Sequence, residues 1–402
     1  MAKFITAQEA AKLIPDGATV GLAGMGLSGW PEEVACAIRD SFKETGHPRD
    51  LNLKQGSAMG DWGYGNQFTG WDKNRRPEGP DTEHGSRGVT RFGEAGEGLI
   101  TRWSGAHIGS AFALNELVRQ NKIQCHCLPQ GVIVNLWREI AAGRPGLLTK
   151  VGLGTFVDPR IEGGKMNSAT TEDLVELVEF QGEEYLFYKS FPLHVALLRG
   201  TTADENGNIT FEHESVLNEG LAVAMAAKNS GGIVIVQVEY VTKSGTMNPH
   251  DVKIPGILVD YVVQATDPMA CWQAEGVYFE PAFSGQIRKP VDALPNFGSS
   301  YNPQCTMLHN DMFDMIDGGG LDITVLGLAQ ADEAGNLNVS KFGTRLTGPG
   351  GFINITQSAK KVVFAGNFMA KSKIKVEDGK LVIVEEGKAK KFIKQVEQIL
   401  AQ

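Results

Sequence analysis

The chain has 402 residues, 42% hydrophobic and 21% charged, so it can bury a large core and is not a disordered polypeptide. Its formal net charge of −9 and its lack of a dense basic run argue against a nucleic-acid partner. The longest apolar run, residues 231–238, is far shorter than the ~20 residues that span a bilayer, and no apolar signal segment opens the chain. Five widely spaced cysteines favour a reducing compartment, the cytoplasm, without a disulfide framework.

Short β-branched runs alternate with helical stretches, which predicts an α/β protein with mainly parallel sheets. We expect strands at 18–23, 51–55 and 123–128, a helix that begins at Pro31, and another helix over 110–121. Residues 60–90 and 152–167 are rich in glycine and predict loops, the first of them long enough to be a lid or a binding loop.

A six-residue turn occurs twice, at 203–208 (ADENGN) and again 128 residues later at 331–336 (ADEAGN). Each copy follows one apolar strand and precedes another, and its Gly-Asn pair suits a tight hairpin. The repeat predicts two domains of similar topology. We place the first at residues 1–290 and the second at 296–402, because prolines interrupt the pattern between them.

The segment from Gly24 through Met25 and Gly26 to Gly29 matches G-x-G-x-x-G between a strand and a helix, a context known from dinucleotide sites. The next strand, at 51–55, ends without the acidic residue that would hold a ribose. A nicotinamide site is therefore disfavoured. A tight turn that offers backbone N–H groups to an anion or a carbonyl is the better interpretation.

Metal ligation is disfavoured. Cys125 and Cys127 flank His126 in a predicted strand. Since residues two apart in a strand point to the same face, both thiols lie on one face, and no second ligand pair has zinc spacing. The eight histidines include no i, i+4 pair and no H-E-x-x-H. We interpret the two cysteines as packing residues.

Two further turns are candidates for binding an oxygen atom. Gln130 follows a strand and could donate to a developing oxyanion, or simply cap a loop carbonyl. Gly350 and Gly351 let the backbone approach an oxygen or a phosphate closely, or they form an ordinary turn that enters a strand at 353–355. Asp158, Arg160 and Glu162 could hold a ligand or pin their own loop.

Several stretches together resemble the type I CoA-transferases, particularly the long single-chain acetate/propionate CoA-transferases. The resemblance runs from about residue 5 to 400 and lies in residues 14–20 (IPDGATV), 128–133 (LPQGVI), 151–160 (VGLGTFVDPR), 189–192 (KSFP), 200–204 (GTTAD), 252–256 (VKIPG), 317–322 (DGGGLD) and 339–343 (VSKFG). It implies two similar α/β domains in one chain, acyl-CoA and small carboxylic acids as substrates, and no metal or other cofactor.

The resemblance also implies a ping-pong reaction. A glutamate carboxylate attacks the thioester, an acyl–glutamyl anhydride forms, and CoA returns to give an enzyme–CoA thioester. By this resemblance Gln130 and a glycine N–H, that of Gly350 or Gly351, form the oxyanion hole. Gly24, Gly26 and Gly351 are the candidate contacts to substrate or CoA. The identity of the acyl group would be set near Trp30 and the 60–90 loop.

The sequence departs from the family where the nucleophile is expected, in an E-[SA]-G turn early in the second domain. Val291 runs almost directly into Phe297, where family-like sequence resumes, so the glutamate is expected to be deleted, and the end at Gln402 is early for the family. Glu94 belongs to an E-A-G tripeptide but lies in the first domain, where the family has no nucleophile.

Two hypotheses follow from this departure. The chain is a transferase that needs a glutamate from another chain, or it is an inactive remnant that binds acyl-CoA or a partner. A deleted strand would leave an unpaired sheet edge, so we also expect a homo-oligomer.

Overall fold

The computed structural model describes residues 1–57, 59–60, 87–214, 216–266, 305, 307–370 and 372–402. The largest sheet of these residues has eight strands, and every pairing in it is parallel. Their spatial order is β1 (Lys3–Phe4), β15 (Tyr261–Gln264), β12 (Ile233–Val238), β9 (Val195–Arg199), β2 (Thr19–Leu22), β3 (Leu51–Gln55), β4 (Ile100–Gly105) and β5 (Gln124–Cys127). The α/β class predicted from the sequence is confirmed.

The central strands are continuous apolar runs, Val-Ala-Leu-Leu in β9 and Ile-Val-Ile-Val in β12. A parallel sheet covered on both faces requires such runs, because neither side of the strand meets water. All of β9 and all but the first residue of β12 are buried. The predicted strands at 18–23, 51–55 and 123–128 are β2, β3 and β5.

Eight described helices accompany the sheets. They are α1 (Ala7–Lys12), α2 (Glu32–Thr45), α3 (Thr90–Gly93), α4 (Phe112–Arg119), α5 (Gln130–Ala141), α6 (Gly220–Asn229), α7 (His309–Asp317) and α8 (Phe352–Ser358). The predicted helix after Pro31 is α2, and the helix predicted over 110–121 is α4. A 3-10 turn lies at Gly256–Leu258. Residues 152–167 form turns, as predicted, whereas 61–86 of the predicted long loop lie outside the described residues.

Smaller sheets flank this core. The first part of the chain also contains β6 (Gly146–Thr149), β7 (Val175–Phe180), β8 (Glu183–Lys189), β10 (Thr202–Asp204), β11 (Ile209–Thr210), β13 (Tyr240–Thr242) and β14 (Val252–Ile254). The later part contains β16 (Thr324–Leu326), β17 (Gln330–Ala331), β18 (Leu337–Asn338), β19 (Lys341–Phe342), β20 (Arg345–Leu346), β21 (Val362–Phe364), β22 (Met369–Ala370), β23 (Lys373–Glu377), β24 (Lys380–Glu385) and β25 (Ala389–Lys390).

The sequence repeat is a structural repeat. The succession β9, β10, β11, α6, β12 recurs as β16, β17, β18, α8, β21, with a hairpin and a parallel strand pair in each copy; the second copy has the additional short strands β19 and β20 before α8. Asp204 Oδ1 accepts the N–H of Asn208 at 2.9 Å, and Asp332 Oδ1 accepts the N–H of Asn336 at 3.0 Å. The expectation of similar topology in the two parts is therefore confirmed.

The two copies differ in how their strands are covered. Strands β9 and β12 lie within the eight-stranded sheet, whereas β16 and β21 pair with each other alone among the described residues. Val325 in β16 is 56% exposed, while Leu198 in β9 is 1% exposed. The expected domain boundary and the expected deletion between Val291 and Phe297 lie outside the described residues, so both stay predictions.

Candidate functional site

Three turns that the sequence singled out meet at Gln130, the first residue of α5. The Gln130 backbone N–H donates to the carbonyl of Gly350 at 3.0 Å. Its side-chain Nε2 lies 3.5 Å from the sulfur of Met25 in the glycine turn after β2. A methyl group placed on Gly350 would lie 3.8 Å from Gln130 Oε1. Residues far apart in sequence thus surround one buried amide.

The parallel sheet explains why these turns meet. The glycine turn follows β2 and Gln130 follows β5, so both lie at the edge formed by the carboxyl ends of the strands, where α/β proteins bind ligands. The turn at Gly350 comes from the later part of the chain and is held at this edge by backbone contacts. Its N–H donates to the carbonyl of Ala106, directly after β4, at 2.8 Å.

The two candidate glycines differ in their free hydrogen-bonding capacity. The Gly350 N–H is engaged by Ala106, whereas no described residue accepts a hydrogen bond from the Gly351 N–H. Gly351 directly precedes α8, so residues 353–355 are helical. Of the two alternatives for this turn, the one that enters a strand at 353–355 was wrong. The segment is a helix that buries Ile353 and packs against α7.

The glycine turn binds an anion that belongs to the chain itself. The Gly29 N–H donates to Glu214 Oε2 at 2.7 Å, and the Ser28 hydroxyl donates to the same oxygen at 3.0 Å. Glu214 is buried and paired with Arg199 at 2.7 Å. At Gly24 the backbone has φ +133°, and a Cβ there would lie 2.0 Å from the Ser28 carbonyl oxygen. The turn therefore positions Met25 beside Gln130, while contacts of Gly24 and Gly26 to CoA stay predictions.

A chain of buried side chains lies behind Gln130. Its Nε2 lies 2.9 Å from His309 Nε2, and His309 Nδ1 lies 2.9 Å from Glu219 Oε2. The side chains of His309 and Glu219 are both 0% exposed. Glu219 Oε1 is also buried and has no hydrogen-bond donor among the described residues.

A second network supports the start of α5 from the D-G-G-G segment. The Gly131 N–H donates to Asn354 Oδ1 at 3.1 Å, and Asn354 Nδ2 donates to both carboxylate oxygens of Asp317 at 2.9 and 3.0 Å. Burial raises the pKa of Asp317 to about 6; the Asn354 hydrogen bonds oppose this shift and the nearby Asp314 adds to it. The later part of the chain thus contributes side chains that hold the P-Q-G turn in place.

Other residues singled out from the sequence lie away from this site. Glu94 is paired with Arg39 at 3.0 Å and with Arg91 at 3.3 Å, as an ion-pair partner rather than a free carboxylate. Asp158 is buried and paired with Arg160 at 2.7 Å, which pins its own loop. Glu162, in the same loop, accepts a hydrogen bond from an amide near the C-terminus of the chain.

Trp30 is fully buried in the core, and its indole N–H donates to Glu32 Oε2 at 2.6 Å. It packs edge-on against Phe92, with ring centroids 5.6 Å apart. The indole ring itself is therefore not exposed, and the expectation that the acyl group is selected near Trp30 and the 60–90 loop stays a prediction, because residues 61–86 lie outside the described residues.

Cys125 and Cys127 are buried, and burial raises the pKa of the Cys125 thiol well above its usual value. His126 bonds the carbonyl of Glu172 at 2.9 Å, and burial lowers its pKa to about 4. In the ranges that the structure describes, no group of three His, Cys, Asp or Glu side chains could hold a metal ion. The cysteines pack in the core as interpreted from the sequence.

Sequence reasoning missed His309, Glu219 and Asn354. His309 is 179 residues from Gln130 and 90 from Glu219, and none of the three belongs to a spaced motif. Only the fold brings them together, so no spacing in the sequence could indicate that they belong to one site.

Comparison with known proteins identifies the family. The family model described as Coenzyme A transferase matches residues 96–265. Caffeate CoA-transferase from Acetobacterium woodii is 60% identical over 468 aligned positions, which cover 99% of this chain and 85% of the relative. The acetate CoA-transferase YdiF of Escherichia coli K12 is 33% identical, covering 98% of this chain and 82% of that protein. The crystal structure of the YdiF apoenzyme from Escherichia coli O157:H7 superimposes with a TM-score of 0.84 at 32% identity, over 99% of this chain and 83% of that one.

The chain belongs to the coenzyme A transferase family. The fold expected from the resemblance is thereby confirmed. Within the described ranges, no helix combines the length and the apolar character needed to cross a membrane.

Proposed function

We propose that this CoA-transferase moves CoA from a short-chain acyl-CoA to a free carboxylic acid through a covalent glutamyl thioester. The observation that carries the proposal is that the Gln130 backbone bonds Gly350 at the carboxyl edge of the parallel sheet, and that the next residue, Gly351, has an N–H with no acceptor among the described residues. Two donors in a buried setting stabilise the negative charge that develops on a thioester oxygen under attack. The Gly350 N–H already donates to Ala106, which favours Gly351 over Gly350 as the glycine donor.

The proposed reaction balances without an added cofactor. A glutamate carboxylate attacks the thioester carbon, and CoA leaves as a thiolate to give an acyl–glutamyl anhydride. The thiolate attacks the glutamyl carbonyl, which releases the first carboxylate and forms the glutamyl–CoA thioester. A second carboxylate enters, the steps run in reverse, and the glutamate is regenerated. Gln130 and Gly351 serve each tetrahedral intermediate in turn.

The attacking glutamate is the open part of the proposal. The described hydrogen bonds of the Gln130 side chain go to Met25 and His309, and neither is a carboxylate. The alignment with caffeate CoA-transferase is 468 positions long, 66 more than the 402 residues of this chain, which supports the prediction of a missing segment. With that glutamate absent, transfer would require a carboxylate from a second polypeptide.

The acceptor acid is proposed from the relatives. One relative is named for caffeate and another for acetate, so an aromatic acrylate and a short aliphatic acid are the first two acceptors to compare. A caffeate acceptor would be used in the same two half-reactions, because both acids present the same carboxylate to the enzyme–CoA thioester.

The test is the transfer reaction of the purified full chain with acetyl-CoA and either acid, followed by chromatography of the CoA esters. Transfer by the proposed route would give a new CoA ester, parallel-line initial-rate kinetics and a hydroxylamine-sensitive CoA adduct on a glutamate. An adduct on a glutamate of this chain upholds the transfer and contradicts the missing-glutamate prediction. Absence of both exchange and adduct rejects transfer by this chain alone, and saturable acyl-CoA binding would then favour the non-catalytic remnant.

A further inference from the structure

The Gln130 side chain has two described hydrogen-bond partners, Met25 and His309, and the nearer one, His309, is itself held by a carboxylate. Three elements meet here, since Glu219 directly precedes α6, His309 opens α7 and Gln130 opens α5. The His309 backbone N–H is anchored to the Leu217 carbonyl at 2.9 Å, so the imidazole is fixed at both its backbone and its ring. The inference rests on the function proposed above.

The proton positions follow from the chemistry of each group. An ionised Glu219 accepts hydrogen bonds and donates none, so the nitrogen facing it, His309 Nδ1, carries the proton. In the neutral ring the other nitrogen, Nε2, then has a lone pair and accepts an N–H of Gln130. The carboxylate thus selects the imidazole tautomer, and the tautomer selects the orientation of the amide.

The consequence is a directed donor. One Gln130 N–H is held by His309, and the second is directed towards Met25 Sδ at 3.5 Å, a weak acceptor that a carbonyl oxygen can replace. The reverse tautomer would carry its proton on Nε2, and the Gln130 oxygen would turn to accept it. The NH2 group of Gln130 would then point away from both His309 and Met25.

We propose that Glu219 and His309 are positioning residues that fix the Gln130 amide with a donor facing the thioester carbonyl. The pair acts through Gln130 and touches no substrate. The burial of the pair matters, because both side chains are 0% exposed and solvent water does not compete for their hydrogen bonds.

Glu219→Gln is the informative variant, because it keeps the size of the side chain but can donate an N–H to Nδ1 and so select the reverse tautomer. We expect kcat to fall about 100-fold, the size of a lost oxyanion donor, with KM for acyl-CoA nearly unchanged. His309→Gln, whose amide oxygen can accept the Gln130 N–H, should retain more activity than Glu219→Gln. Glu239→Gln is the matched control: Glu239 holds His213 Nδ1 at 2.8 Å in a pair of the same kind away from Gln130, and its variant should keep full kcat.

A double-mutant cycle separates positioning from general support of the fold. In a Gln130→Ala background, Glu219→Gln should have almost no further effect on kcat, because its action passes through the missing amide. Additive losses would overturn the proposal.

A spectroscopic measurement tests the inference independently of the transfer reaction. Nitrogen NMR of the wild-type chain with isotope-labelled histidine, assigned by loss of one signal in His309→Gln, reports the tautomer directly. We expect His309 protonated at Nδ1 in the wild type and at Nε2 in Glu219→Gln. An Nε2-protonated ring in the wild type rejects the positioning role, whereas an inactive chain with the expected tautomer rejects the proposed function only.

Discussion

Gln130 is the residue on which the proposed chemistry depends. Gln130→Ala removes the side-chain donor while leaving the backbone bond to Gly350 in place, so we expect kcat/KM for CoA transfer to fall by about 100-fold or more. Gln120→Ala is the control, since Gln120 directly follows α4 and its side-chain amide donates to Glu116, in an exposed hydrogen bond. Equal rates for the wild type and Gln130→Ala in a chain that transfers CoA would contradict the oxyanion role.

The carboxyl group of Asp317 predicts how stability depends on pH. Burial raises its pKa from 3.8 to about 6, so the folded chain holds this proton more tightly than the unfolded chain does. The contribution of protonated Asp317 to the stability of the fold is therefore present below ~pH 4 and is lost as the pH rises through about 6. The asparagine of Asp317→Asn has no ionisable group. The free energy of unfolding of this variant minus that of the wild type should therefore rise by about 2 kcal/mol between ~pH 4 and ~pH 7.

Urea denaturation at a series of pH values measures this difference. Asp322→Asn is the control, because the pKa of Asp322 is lowered by its hydrogen bond to Lys360 and its trend has the opposite sign. A difference between Asp317→Asn and wild type that does not change with pH would show that Asp317 ionises normally.

Sequence reasoning reached some residues of the site and missed others for a physical reason. Gln130, Gly350 and Gly351 lie in short turns whose residue types already suggest an oxygen-binding role, and the structure brings them together. His309 and Glu219 are single polar residues with no periodic pattern. Their meaning arises only when α5, α6 and α7 converge, which local sequence does not encode.

At the scale of elements, the glycine turn after β2 must keep its shape to hold Met25 beside Gln130. Gly24→Ala would bring a Cβ within 2.0 Å of the Ser28 oxygen, so we expect a loss of at least about 3 kcal/mol in stability. Gly17→Ala is the matched control, because Gly17 also has positive φ but no atom lies within 4 Å of its Cβ position, and about 1 kcal/mol is expected. Thermal or urea unfolding compares the two, and equal losses would mean that the turn can rearrange.

Several elements of the first part of the chain were predicted correctly from local sequence. Strands β2, β3 and β5 and helices α2 and α4 were all expected from local pattern, and so was the recurring hairpin. Helix α8 was not predicted: a turn entering a strand at 353–355 was one alternative inferred from the sequence, and this segment is a helix packed against α7.

At the scale of the whole molecule, the later part of the chain presents apolar strand surface that its counterpart in the first part buries. Val325 and Ile323 are 56% and 54% exposed, and β16 has β21 as its strand partner among the described residues. We expect this surface to be covered by a second copy of the chain, so that sedimentation shows a concentration-dependent oligomer.

Val325→Lys should shift that equilibrium towards monomer, because burying an unpaired ammonium is costly. Ile257→Lys, at a site 88% exposed in the first part, should leave the equilibrium unchanged. A wild-type monomer that melts sharply at high temperature would contradict the expectation.

The central claim is that Gln130 and Gly351 bind the thioester carbonyl, and vibrational spectroscopy of bound acetyl-CoA with an isotope-labelled carbonyl tests it most directly. The frequency reports polarisation of the C=O bond whether or not a glutamate completes the reaction. We predict a shift to lower frequency on the wild-type chain and on Gln120→Ala, and its loss on Gln130→Ala. An unshifted carbonyl on the wild-type chain, or the same shift on Gln130→Ala, would contradict the account.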